Sequence, residues 1–68
     1  MNRLKLMRLE IQLSQIELSL ASNVPRHVIQ LAEQGIRLPT TEQQAALAKT
    51  LGVKTKTIFQ EQGEASEK

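Results

Sequence analysis

Four long polar side chains stand out between Ser22 and Gly35, in the stretch SNVPRHVIQLAEQG. At about 100° per residue on a helix, Val28, Ile29 and Ala32 share one stripe, and Arg26, His27, Gln30 and Gln34 share the opposite face. Each of the four carries hydrogen-bonding groups at the end of a long reach. Such a face is either solvated or directed at a partner whose edges offer a pattern of donors and acceptors. Catalysis fits poorly. The chain has no Asp, Cys, Tyr or Trp, and His27 is its only imidazole. A lone His cannot hold a metal without other strong ligands, and no second base stands at a useful spacing. The inventory predicts a protein that is not an enzyme and needs no metal or cofactor.

Charge points the same way. Residues 1–59 hold eight Lys and Arg against four Glu, hence +4, and residues 60–68 hold one Lys against three Glu, hence −2. A basic body with an acidic tail suits a polyanionic partner. Without Trp or Tyr there is little platform for stacking unpaired bases, so if the polyanion is a nucleic acid, a duplex is the expected form. At 68 residues the chain makes one domain with a small core. The absence of Cys suits a reducing cytoplasm, and no apolar run approaches a membrane span or a secretory signal. The expected location is the cytoplasm.

The elements that must position the polar face are marked by local signals. Residues 2–11 read as a first helix with Leu4, Met7 and Ile11 on one stripe. Ser14 and Glu17 form a capping box that opens a second helix from Gln15 to about Ser22. Asn23 tolerates the left-handed backbone that ends it, Val24 is pushed to an extended conformation by the following proline, and Pro25 occupies the first position of the third helix. Gly35 stops that helix. Thr40 and Gln43 make a second capping box for a fourth helix whose buried side is Ala45, Leu47, Ala48 and Leu51, with Gly52 at its end. A short fifth helix from Thr55 to about Gln60 docks Ile58 and Phe59. Residues 60–68 lack an apolar anchor and read as a disordered acidic tail. The expected fold is all-α, with a single five-helix domain over residues 1–59.

Within this frame LSQIELSLASNVPRHVIQLAEQG resembles the helix-turn-helix of the Cro/repressor, or Xre-type, family. Leu13, Ser14, Gln15, Glu17, Leu18, Val24, Arg26, Ile29, Glu33 and Gly35 match the family pattern in one register without gaps. The segment from Leu38 to Phe59 is similar to the family's fourth and fifth helices, so the resemblance covers residues 3–59. It implies a DNA-binding regulator, a repressor acting as a homodimer on two half-sites, with the third helix in the major groove and the second across the backbone. On that reading Arg26, His27 and Gln30 read bases, with Leu31 and Gln34 at the edge. Arg suits guanine, Gln suits adenine, and Leu31 suits a thymine methyl. Phosphate contacts fall to Ser14, Gln15, Arg37 and Thr40. Arg8 and Glu33 match positions that pair to brace the first helix against the third, with Arg8 still directed at the DNA backbone. Val53, Ile58 and Phe59 are candidates for a dimer contact, while Phe59 is equally needed as core.

Several residues depart from the family pattern. Pro25 replaces a capping hydroxyl, Asn23 replaces a turn glycine, and Ser19 replaces a buried alanine and so needs a backbone carbonyl to bond. Ala32 replaces a larger aliphatic, which leaves the core there short of volume unless Leu31 or Leu20 swings in. Leu6, Leu9, Ile16 and Leu20 fall on the backs of the first two helices and could join into a surface for a protein partner. A second reading follows from them: an interaction module or antitoxin on a helix-turn-helix scaffold, with weak DNA binding.

Overall fold

The structure is a computed structural model that describes residues 2–59. The expected tail, residues 60–68, lies outside the described residues, as does Gln60 at the end of the fifth helix. Four helices are α1 (Arg3–Glu10), α2 (Gln15–Ser22), α3 (Arg26–Glu33) and α4 (Thr41–Leu51). A fifth, α5, covers residues 55–59. No strand occurs among the described residues.

The caps explain the boundaries. At α2 the Ser14 hydroxyl accepts the Glu17 amide at 3.0 Å, and the Glu17 carboxylate accepts the Ser14 amide at 2.8 Å. At α4 the same reciprocal pair joins Thr40 and Gln43, at 3.1 and 3.0 Å. Asn23 closes α2 at φ 64°, and Gly52 closes α4 at φ 76°. Both expected boxes and both expected stops are therefore present. At α1 the cap is Asn2, whose side-chain oxygen accepts the Lys5 amide at 3.1 Å.

Three local expectations are corrected. The first helix ends at Glu10 rather than residue 11, because Gln12 takes a left-handed backbone at φ 59° and the Leu13 amide returns to the Arg8 carbonyl. Ile11 therefore leaves the Leu4 stripe and stands exposed. Pro25 caps α3 from outside the helix with an extended backbone, ψ 144°, and makes no side-chain cap bond. Ala45 is exposed rather than buried. It lies two residues before Leu47, about 200° around the helix, and the half-buried Gln44 turns in to donate to the Pro39 carbonyl at 2.8 Å.

The core joins Leu4 of α1, Leu18 of α2, Ile29 and Ala32 of α3, Leu47, Ala48 and Leu51 of α4, and Ile58 and Phe59 of α5, with Val24 from the turn. Burying a large aliphatic is worth about 1.5–3 kcal/mol each, and Leu4, Leu18, Ile29 and Leu47 are the most completely buried. The main helix packings are α2 on α3, α2 on α4 and α1 on α3. Of the residues named for a dimer contact, Ile58 and Phe59 lie inside this core, and Val53 packs half-buried against it.

Candidate nucleic-acid interface

The turn between α2 and α3 is held by hydroxyls. Ser19 donates to the Val24 carbonyl at 2.7 Å, which supplies the acceptor its position demands. The buried Ser22 hydroxyl donates to the Leu18 carbonyl at 2.7 Å and accepts the Val24 amide at 3.3 Å. With Val24 buried beneath them, these bonds set how α3 leaves α2. Ser19 was legible as a residue in need of a carbonyl. The bridging role of Ser22 was not, since serine near a helix end is common for other reasons.

α3 and its C-cap Gln34 then present Arg26, His27 and Gln34 exposed, with Gln30 and Leu31 half-buried beside them. Its opposite side is closed by Ile29 and Ala32 in the core and Val28 against it. The expected polar face is thus a surface of one helix, with donors and acceptors along its length. Neither Leu20 nor Leu31 fills the volume beside Ala32: Leu20 is 78% exposed and Leu31 half-exposed.

What holds this face in place is a buried ionic cluster. Arg8 Nε donates to Glu33 Oε2 at 2.6 Å, Nη2 donates to Oε1 at 3.0 Å, and Nη1 donates to the Leu13 carbonyl at 2.8 Å. Gln15 Nε2 adds a fourth bond, to Glu33 Oε1 at 3.1 Å. The side chains of Arg8 and Glu33 are only 8% and 3% exposed. The hydrogen bond to Glu33, aided by its charge, raises the Arg8 pKa against the opposing effect of burial. One carboxylate at the end of α3 therefore ties together α1 and the start of α2 (a bidentate pair plus an amide).

Arg8 braces as the family resemblance implies, and its side chain is buried in that pair rather than exposed as a phosphate contact requires. The Gln15 side chain turns inward to Glu33, while its main-chain amide stays at the start of α2. Ser14 and Thr40 are exposed, and each hydroxyl oxygen accepts a cap bond while its own proton remains available to donate. Arg37 is exposed in the connector between α3 and α4.

The four aliphatics expected to form a partner surface, Leu6, Leu9, Ile16 and Leu20, are all exposed. Leu6 lines a groove of about 570 Å³ with Ile36 and Leu38, and Leu9, Ile16 and Leu20 are not in its walls.

A family model described as helix-turn-helix, of the Xre/Cro-like type, matches residues 4–58. The chain belongs to the Xre/Cro-like helix-turn-helix family. Comparison with curated proteins and with solved structures finds no match. As a helix-turn-helix protein of this type it is a DNA-binding regulator, in a family whose domains are not enzymes. The α2–turn–α3 unit just described is the motif, and α3 is its second helix. No helix among the described residues is long and apolar enough to cross a membrane, and no group of three or more His, Cys, Asp or Glu could hold a metal ion there.

Proposed function

We propose that this protein is a sequence-specific transcriptional repressor of the cytoplasm that binds duplex DNA as a homodimer. The observation that carries the reading is the exposed polar face of α3 held on a buried Arg8–Glu33–Gln15 cluster. A reading head must be rigid, because base discrimination of ~1–3 kcal/mol per bidentate pair needs side chains aimed at fixed edges. Arg26, His27 and Gln30 read base edges in the major groove, with Leu31 and Gln34 beside them. Ser14, the Gln15 main-chain amide, Arg37 and Thr40 contact phosphates, which supply affinity but no sequence information. Arg8 acts as a positioning residue.

The test is selection of preferred sites from random duplexes of about 30 base pairs at near-physiological salt, long enough for two half-sites one helical turn apart. The expected result is a pseudo-palindrome. Recovery of no preferred sequence, with only salt-sensitive bulk binding, would remove the reading.

A second reading has its own observation. Leu9, Ile16 and Leu20 are large, exposed and outside the core, as on an interaction module or antitoxin with weak DNA binding. That reading expects Leu9→Glu with Leu20→Glu to abolish capture of a cognate protein and to leave DNA affinity unchanged. Unaltered capture would sink it.

A further inference from the structure

The groove that holds Leu6 is walled by parts far apart in sequence: α1, the end of α3, the connector and α5. Its volume of about 570 Å³ is that of a small-molecule site. The lining is of two kinds. Leu6, Ile36 and Leu38 are exposed aliphatics, set beside the buried Ile58 and Phe59. Gly35 leaves open space among them, since a Cβ placed there would meet nothing within 4 Å. The second kind is cationic. Arg3 and Arg37 both line the groove, and no Glu among the described residues joins them.

We propose that this groove binds a small organic anion, a carboxylate on an aliphatic body, and that the bound anion competes with duplex phosphate for Arg37. The coupling to DNA rests on the repressor reading, whereas the site itself does not. Charge selects the head group. Arg3 Nη1 donates to the Thr57 carbonyl at 3.0 Å, which ties that side chain to α5, and a guanidinium carries five N–H donors that serve several acceptors at once. Arg37 brings a second planar fork suited to a carboxylate. Asn2 is already engaged, its amide donating to the Ala32 carbonyl and its oxygen accepting the Lys5 amide.

The aliphatics select the body. Leu6 and Leu38 are each 44% exposed, so an apolar chain laid against them removes surface from water on both partners. A bare inorganic anion leaves that surface wet, and a neutral amide of the same shape leaves the guanidinium charges unmatched. Arg37 is the link to DNA. In the repressor reading it grips a phosphate, which supplies affinity and no sequence information. A carboxylate held on its guanidinium occupies the donors that the phosphate needs and sets a negative charge beside the duplex backbone. The anion therefore weakens all duplexes alike, and by linkage the duplex weakens the anion by the same factor.

Titration of the full chain with octanoate, followed through backbone amide shifts by two-dimensional NMR, reads the site. Octanamide lacks the charge and acetate lacks the body. Octanoate should bind with a Kd of about 1 mM, from the free energy per heavy atom of small ligands. It should bind at least about tenfold tighter than either control and move the amides of Gly35, Ile36, Arg37 and Leu38. Leu6→Gln and Arg3→Gln should each weaken it about fivefold, and Leu20→Gln, outside the groove, should leave it within about twofold. Duplex titrations in octanoate against equal acetate read the coupling. Octanoate near saturation should lower wild-type affinity about threefold and leave that of Arg37→Ala unmoved. Octanamide binding as tightly as octanoate, or octanoate binding untouched by both groove substitutions, would overturn the site. Wild-type duplex affinity unmoved by bound octanoate would overturn the coupling. If the wild type selects no DNA sequence, the repressor reading fails instead, and the titrations without DNA still decide the site.

Discussion

Replacing Glu33 should unfold much of this protein, and the reason is quantitative. An ion pair in water contributes only about 0.2–1 kcal/mol. The Arg8 and Glu33 side chains are 8% and 3% exposed, so the pair belongs with buried ions rather than surface ones. In Glu33→Ala the Nε and Nη2 groups of Arg8 lose their acceptor, and Gln15 loses its partner as well. A buried charge stripped of its counter-ion costs about 3–5 kcal/mol. A chain of this length has a total stability of roughly 3–10 kcal/mol, from 0.05–0.15 kcal/mol per residue. At roughly 4–8 °C per kcal/mol for a domain this small, Tm should fall by roughly 12–40 °C. Arg8→Met should be comparably severe, since it leaves the carboxylate buried with only Gln15. The double variant Arg8→Met with Glu33→Leu removes both charges and fills the space with apolar atoms, so it should lie near the wild type and far above either single variant. Urea melts of the four proteins give the cycle directly. Single-variant losses below ~1 kcal/mol, or losses that add within about 0.5 kcal/mol, would refute the claim that a buried charge cluster sets α3 in place.

Other consequences are smaller and equally checkable. Arg26→Ala should relax preference at one base pair, whereas Arg37→Ala should weaken all duplexes alike and lower the salt slope by about one; equal losses on every sequence from both would remove Arg26 as a base reader. Ser14→Ala removes one half of the capping box and should cost ~1 kcal/mol in chemical denaturation. Gln12→Gly relieves a left-handed backbone at φ 59° and should stabilise by up to ~1 kcal/mol, the left-handed penalty of an L-residue partly offset by glycine's freedom in the unfolded chain; a destabilised variant would show that the Gln12 side chain makes a contact worth more than the strain.

Most helix boundaries were legible because their signals are local. The two capping boxes join residues three positions apart, and the stops at Asn23 and Gly52 depend on one backbone conformation each. Where the local reading slipped, a competing local effect was at work. Gln12 ended α1 early although glutamine carries no stop signal, and Gln44 took the buried place assigned to Ala45 by bonding the Pro39 carbonyl. The pairing of Arg8 with Glu33 was legible through resemblance alone. Nothing in a spacing of 25 positions announces it.

The sequence by itself therefore determined that the chain makes a few short helices, and that Arg26, His27, Gln30 and Gln34 share one side of the third. These follow from bonds within one turn and from the angular period of the helix, which are the same in any tertiary setting. Tertiary structure decided what lies between helices. It turned the Gln15 side chain inward to a carboxylate 18 positions away, joined the Asn2 amide to the Ala32 carbonyl 30 positions away, and placed Leu6 in one groove with Ile36 and Leu38. Each of those outcomes depends on how helices cross and on which donor reaches a buried charge first, a geometry that exists only once the core of Leu4, Leu18, Ile29 and Leu47 has closed.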